Sequence, residues 1–141
     1  MQRTYKFRLY PTKDNEQKLL CTLDKCRFVY NYLLGQKSKK NLKRGELQAL
    51  LPNLKKEMPE LQDVHSKTLQ YENCRLHSNT IALSRAKKKG RRIGKLRFKG
   101  KDWFKTFTYN QSGFKITENT TIYDTLSLSK IGNIPMVMHR T

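Results

Sequence analysis

RTYKFRLYPTKDNEQKLL, residues 3–20, changes its period halfway through. In its first half Tyr5, Phe7 and Leu9 alternate with Lys6, Arg8 and Tyr10, the period of a strand with one buried face. Pro11 has no N–H to give a ladder and ends the strand. Thr12 then suits a helix N-cap, and Asp14 falls in the first turn, where the helix dipole favours an acid. Leu19, Leu23, Cys26, Tyr30 and Leu33 follow at spacings of four and three, which predicts a long amphipathic helix fading near Gly35 into the basic connector QKSKKNLKRG.

Outward from that junction the chain stays helical, then changes again. ELQALLPNLKKE predicts a second helix, with Pro52 marking a kink or a restart because proline costs about 3 kcal/mol in a helix interior. PELQDV leads to a third, whose stripe is Leu69, Asn73, Leu76, Thr80 and Leu83. Residues 85–101, RAKKKGRRIGKLRFKGK, hold ten cations and no acid, with glycines at 90, 94 and 100 and an embedded Phe98. Such a run is either a solvated loop or a phosphate-tracking segment, and the glycines and Phe98 favour the second. Short alternating runs follow, FKTFTY, GFKI, TLSLSKI and IPMVMHR, separated by turn residues such as Asn110, Ser112, Gly113 and Gly132. The order β, helical block, β predicts an α+β fold: a small barrel interrupted after its first strand by a helical insertion.

CRFVYNYLL, residues 26–34, places Arg27 and Asn31 four apart in an apolar helix. Phe28, Val29 and Tyr30 read as core. The two polar residues have two readings. Either they cap or cross-link the junction between helix and barrel, since buried polar groups persist only when hydrogen-bonded, or Arg27 meets a phosphate.

Charge decides the class of partner. The 141 residues carry 30 Lys and Arg against 11 Asp and Glu, a net charge of +19. That excess calls for a polyanion, and 10% aromatic content adds flat rings that suit nucleobases. No apolar run of membrane-spanning length and no secretory leader is apparent, so a cytosolic, membrane-free protein is expected. Cys21, Cys26 and Cys74 form no C-x-x-C pair and read as thiols in a reducing compartment, with neither disulfide nor metal and no cofactor implied.

YKFRLYPT, CRFVYNYLL, VHSKTLQ, RFK at 97–99, FTYNQSGFKI and LSLSKIGNI occur in that order, and together they resemble the N-terminal half of the TnpB family, also called OrfB. These are insertion-sequence-encoded proteins related to the type V CRISPR effector nucleases. The resemblance implies an OB-like β-barrel, the wedge domain, interrupted by a helix-turn-helix-like recognition domain. In this chain that gives a first wedge strand over residues 1–10, the helical domain over 11–95 and the remaining barrel over 96–141. It also implies a RuvC-like nuclease half, which is expected to be missing: the acids present, such as Asp63, Asp102 and Asp124, form no strand-borne carboxylate cluster of the kind two-metal cleavage needs. The chain is therefore expected to be no enzyme by itself.

By the same resemblance, Ser66, Lys67 and Gln70 belong to a surface that reads a short transposon-adjacent motif on duplex DNA. Thr108, Tyr109, Asn110 and Gln111 are placed on a barrel edge beside it. The chemistry agrees, since glutamine can pair with adenine through two hydrogen bonds in the major groove. Phosphate contacts are expected from Lys6, Arg8, Arg27, Lys87, Lys88, Lys89, Arg91, Arg92, Arg97 and Lys99. The partners implied are guide RNA from the transposon end, duplex DNA and, in a split system, a separate nuclease half. The rival readings are the front half of a split endonuclease, a stand-alone helix-turn-helix DNA binder acting as a dimer, and a decayed transposon remnant.

Overall fold

The computed structural model describes residues 2–92, 94–110 and 112–138. It is α+β, with three helices and one four-stranded antiparallel sheet.

Helix α1 (Lys13–Lys40) starts where the sequence predicts. Thr12 accepts from the Asn15 N–H at 3.2 Å, and Asn15 Oδ1 accepts in return from the Thr12 N–H at 3.2 Å, a reciprocal cap built with asparagine. The helix does not fade at Gly35. It runs on to Lys40 and stops at Asn41, which takes the left-handed conformation at φ 52°. The connector to α2 (Arg44–Glu57) is thus three residues long, and α2 continues through Pro52 without interruption. Pro52 lies on the exposed side, so its missing hydrogen bond falls where water can serve Gln48's carbonyl. A 3-10 turn (Pro59–Asp63) leads to α3 (Ser66–Lys88).

The helical core is continuous. Cys26, Val29, Tyr30 and Leu33 of α1 pack with Leu47, Leu51 and Leu54 of α2 and with Leu69 and Leu76 of α3. Phe104 closes it from the far side of the basic segment, its ring 6.2 Å from that of Tyr30. Phe28 departs from expectation: it is 38% exposed, because the chain rotates it onto the stripe of α1 that faces away from α2 and α3.

The sheet runs β1 (Arg8–Leu9), β4 (Gly132–Val137), β3 (Asp124–Leu128), β2 (Phe114–Thr117). Ile134 and Met136 of β4 are buried against α1, together with Ile131 from the β3–β4 turn. Among the described residues the sheet is open, and the expected barrel is not seen. Its first strand, two residues long, stops on the α1 side for a physical reason. Tyr10 N–H donates to the Pro135 carbonyl at 2.8 Å, but Pro135 has no N–H to return the bond, and Pro11 follows at once. The β1–β4 ladder goes no further on that side, while β4 continues beside β3. FKTFTY, expected as a strand, is irregular backbone, and Phe114 and Ile116 of the free edge β2 stay about half exposed.

Candidate nucleic-acid interface

The α3 N-terminus and the segment before β2, some forty residues apart in sequence, meet in one place. His65, at the N-cap of α3, stacks on Tyr109 with ring centroids 5.2 Å apart and planes 11° from parallel. The Tyr109 hydroxyl donates to the Ser129 carbonyl at 2.5 Å, tying the same ring to the end of β3. Burial, with the Cys26 thiol's field, pushes the Tyr109 hydroxyl up to about 12. Gly113 completes the joint. Its φ of +88° and the His65 ring, 2.6 Å from where a Cβ would sit, both exclude a side chain there.

That joint positions a pocket of about 330 Å³ between α2 and α3, whose lining includes Arg44, Gln48, Lys67, Gln70, Tyr71 and Asn110. Three expected reading residues, Lys67, Gln70 and Asn110, are therefore brought together. Among the described residues Asn110 Oδ1 is buried with no hydrogen-bond partner, and so is Oδ1 of Asn73, whose Nδ2 donates to the Arg44 carbonyl and to Gln48 Oε1, both at 3.0 Å. Gln70 also lines a neighbouring cavity with Lys55 and Ser66, and so stands on the ridge between the two. Ser66 accepts from Lys55 Nζ at 2.8 Å, and burial, then Lys130, lowers Lys55 from its ordinary value.

The remaining expected residues scatter. Thr108 is half-buried in irregular backbone, outside any sheet edge, and Tyr109 is a structural brace. Gln111 lies outside the described residues. Lys6 is exposed ahead of the sheet, and Arg8 on β1 lies over the Tyr10 ring at 5.4 Å. Lys87 and Lys88 form the last turn of α3, Lys89 caps it, and Gly90 turns the chain away at φ 82°. Arg91, Arg92 and Arg97 are exposed, so the basic segment begins as helix and continues as open backbone.

Arg27 and Asn31 answer differently. Arg27 reaches Asp24 at 4.0 Å, and its Nε is buried without a hydrogen-bond partner among the described residues. Asn31 is a cross-link: its Nδ2 donates to the Lys99 carbonyl at 2.9 Å and its Oδ1 accepts from the Lys99 N–H at 2.8 Å. One side chain holds both backbone groups of a residue 68 positions away, as a neighbouring strand would.

Buried on α3, Glu72 meets Arg75 Nη1 at 3.3 Å, and that nitrogen also donates to the Thr106 carbonyl at 2.8 Å. The Arg75 guanidinium lies over Phe104 at 4.5 Å. Burial pushes the Glu72 carboxyl up to about 7, against the opposing pull of Arg75. Burial also pushes the Cys26 thiol up, which makes it inert packing. Among the described residues, no three His, Cys, Asp or Glu side chains gather as a metal-holding group, and no helix is long and apolar enough to cross a membrane. Asp124 does stand on a strand, at the start of β3, where its Oδ1 accepts from the Asn119 N–H at 3.1 Å.

Sequence reasoning missed Arg44 and Tyr71 as pocket residues, and it passed over Trp103, which is 83% exposed. A lone tryptophan between charges in KDWFK was a signal for the last.

The helix-turn-helix domain model of the IS605 OrfB family matches residues 1–46. The N-terminal third of the chain is thus similar to that domain. The match covers β1, α1 and the first turn of α2, and it stops short of Lys67, Gln70 and Asn110. No curated protein sequence matches the chain.

Proposed function

We propose that this chain is the nucleic-acid-binding portion of an OrfB-like, transposon-encoded, RNA-guided DNA nuclease. It reads a short duplex DNA motif with the α2–α3 pocket, binds guide RNA through its basic segments and does not itself cleave. The observation that carries the reading is the convergence of Lys67, Gln70 and Asn110 with Arg44 on one concave surface. Cations there supply sequence-independent attraction to phosphates, and the Gln70 amide supplies a paired donor and acceptor for a base edge. The net charge of +19 and the helix-turn-helix match over residues 1–46 support a nucleic-acid partner independently.

In such systems the protein reads only a short duplex motif and leaves the remaining sequence to base pairing. A selection from a randomised duplex library, with RNA from the element's end present, tests this. Enrichment of a motif a few base pairs long is expected; binding without any enriched motif would remove the reading role.

A further inference from the structure

We propose that the strap of residues 97–104 is a stacking surface for a single-stranded polynucleotide, with Phe98 and Trp103 as its base platforms. Trp103 is 83% exposed and Phe98 65% exposed, large apolar areas that no packing among the described residues explains. The strap is nevertheless held in place. It runs down α1 from its C-terminal half: Phe98 lies over Gly35, 3.7 Å from where a Cβ would sit, Asn31 grips the Lys99 backbone, and Phe104 enters the core beside Tyr30. Phe28, also partly exposed, shares that stripe of α1 with Asn31 and Gly35. Rings on an anchored backbone lose little entropy when a base settles on them.

Charge fixes the kind of partner. Residues 95–105 carry five Lys or Arg and one acid, Asp102. At the upstream end, Lys37, Lys87 and Lys95 line a cavity of about 300 Å³ floored by Leu34, Leu83 and Leu96. Alternating cations and exposed rings match a strand with phosphates on one side and unpaired bases on the other. A duplex has its base faces already stacked and offers such rings nothing. The inference rests on the nucleic-acid reading above but on none of the residues of the α2–α3 pocket.

Trp103 is the chain's single tryptophan, so its fluorescence reports this surface alone. The full chain is titrated with 12-nucleotide uridine RNA, thymidine DNA of the same length, a 12-base-pair duplex and phosphatidylserine vesicles. Saturable quenching by either single strand, well beyond that by the duplex, is expected. Affinity for labelled single strand, read by anisotropy, should fall about 10-fold in Trp103→Ala and about 10-fold in Phe98→Ala, and be kept in Trp103→Phe. Thermal unfolding should not move in Trp103→Ala. Equal quenching by duplex, a stronger response to vesicles, no quenching, or unchanged affinity in Trp103→Ala each overturns the proposal. Loss of motif reading in Gln70→Ala, with these results intact, would leave the two sites separate.

Discussion

Asn31→Leu removes the grip on the strap while keeping the bulk of the side chain. The wild-type amide makes two hydrogen bonds, at 2.9 and 2.8 Å, to the carbonyl and the N–H of half-buried Lys99. Each is worth about 1 kcal/mol net, and leaving both backbone groups unpaired against a leucine adds part of their desolvation cost, so a loss of about 2–3 kcal/mol is expected. Lys99 is not fully sealed from water, which argues for the lower end. Urea unfolding followed by circular dichroism gives the difference, with an unchanged slope on denaturant if the unfolded state is unaffected. Hydrogen exchange gives the location, because the Lys99 amide should lose protection while those of α1 keep theirs. A variant within about 0.5 kcal/mol of wild type, or one whose Lys99 amide stays protected, would show that the strap is held by something else.

Three further outcomes follow from the same geometry. Because Glu72 is raised from 4.5 to about 7, the folded chain keeps a proton there that the unfolded chain releases; its contribution is full below about pH 4.5, falls as pH rises towards 7 and is flat above. Glu72→Gln should flatten that slope, on the order of 3 kcal/mol across the window, and an unchanged stability–pH curve contradicts the assignment. Replacing Lys87, Lys88, Lys89, Arg91 and Arg92 by Gln should lower the slope of log affinity against log salt by about 0.7 to 0.9 for each phosphate no longer neutralised, whereas an unaltered slope makes the run a solvated loop. The purified chain should show no Mg²⁺- or Mn²⁺-dependent cleavage of DNA, and activity that tracks with it through successive columns would refute a purely binding role.

The helices were legible because their signals are local: the Thr12 cap, the spacing of Cys26, Tyr30 and Leu33, and the Leu69–Leu76 stripe all lie within a few turns. Sheet closure was not. Among the described residues β1 pairs with β4 and β2 with β3, and no local period encodes whether those two edges meet. FKTFTY alternates as a strand does, yet Phe104 is taken by Tyr30 and Arg75 and Tyr109 by His65, so tertiary packing overrides the local pattern. Lys67, Gln70 and Asn110 were each legible as residue types. Their meeting depends on Gly113 allowing His65 to close the joint, an approach no periodicity encodes.

Gln70 and Arg97 separate reading from holding, and comparing them tests the central claim most directly. The measurement is affinity of Gln70→Ala and Arg97→Ala for the selected duplex and for a scrambled duplex of equal composition, with RNA present. Gln70 lines the pocket, and a paired base contact is worth roughly 1–3 kcal/mol of discrimination, so its removal should bring the two affinities together. Arg97 is exposed on the strap, outside the pocket, and its replacement should leave the ratio of the two duplex affinities unchanged. If Gln70→Ala weakens both duplexes by the same factor and leaves their ratio intact, the pocket does not read DNA.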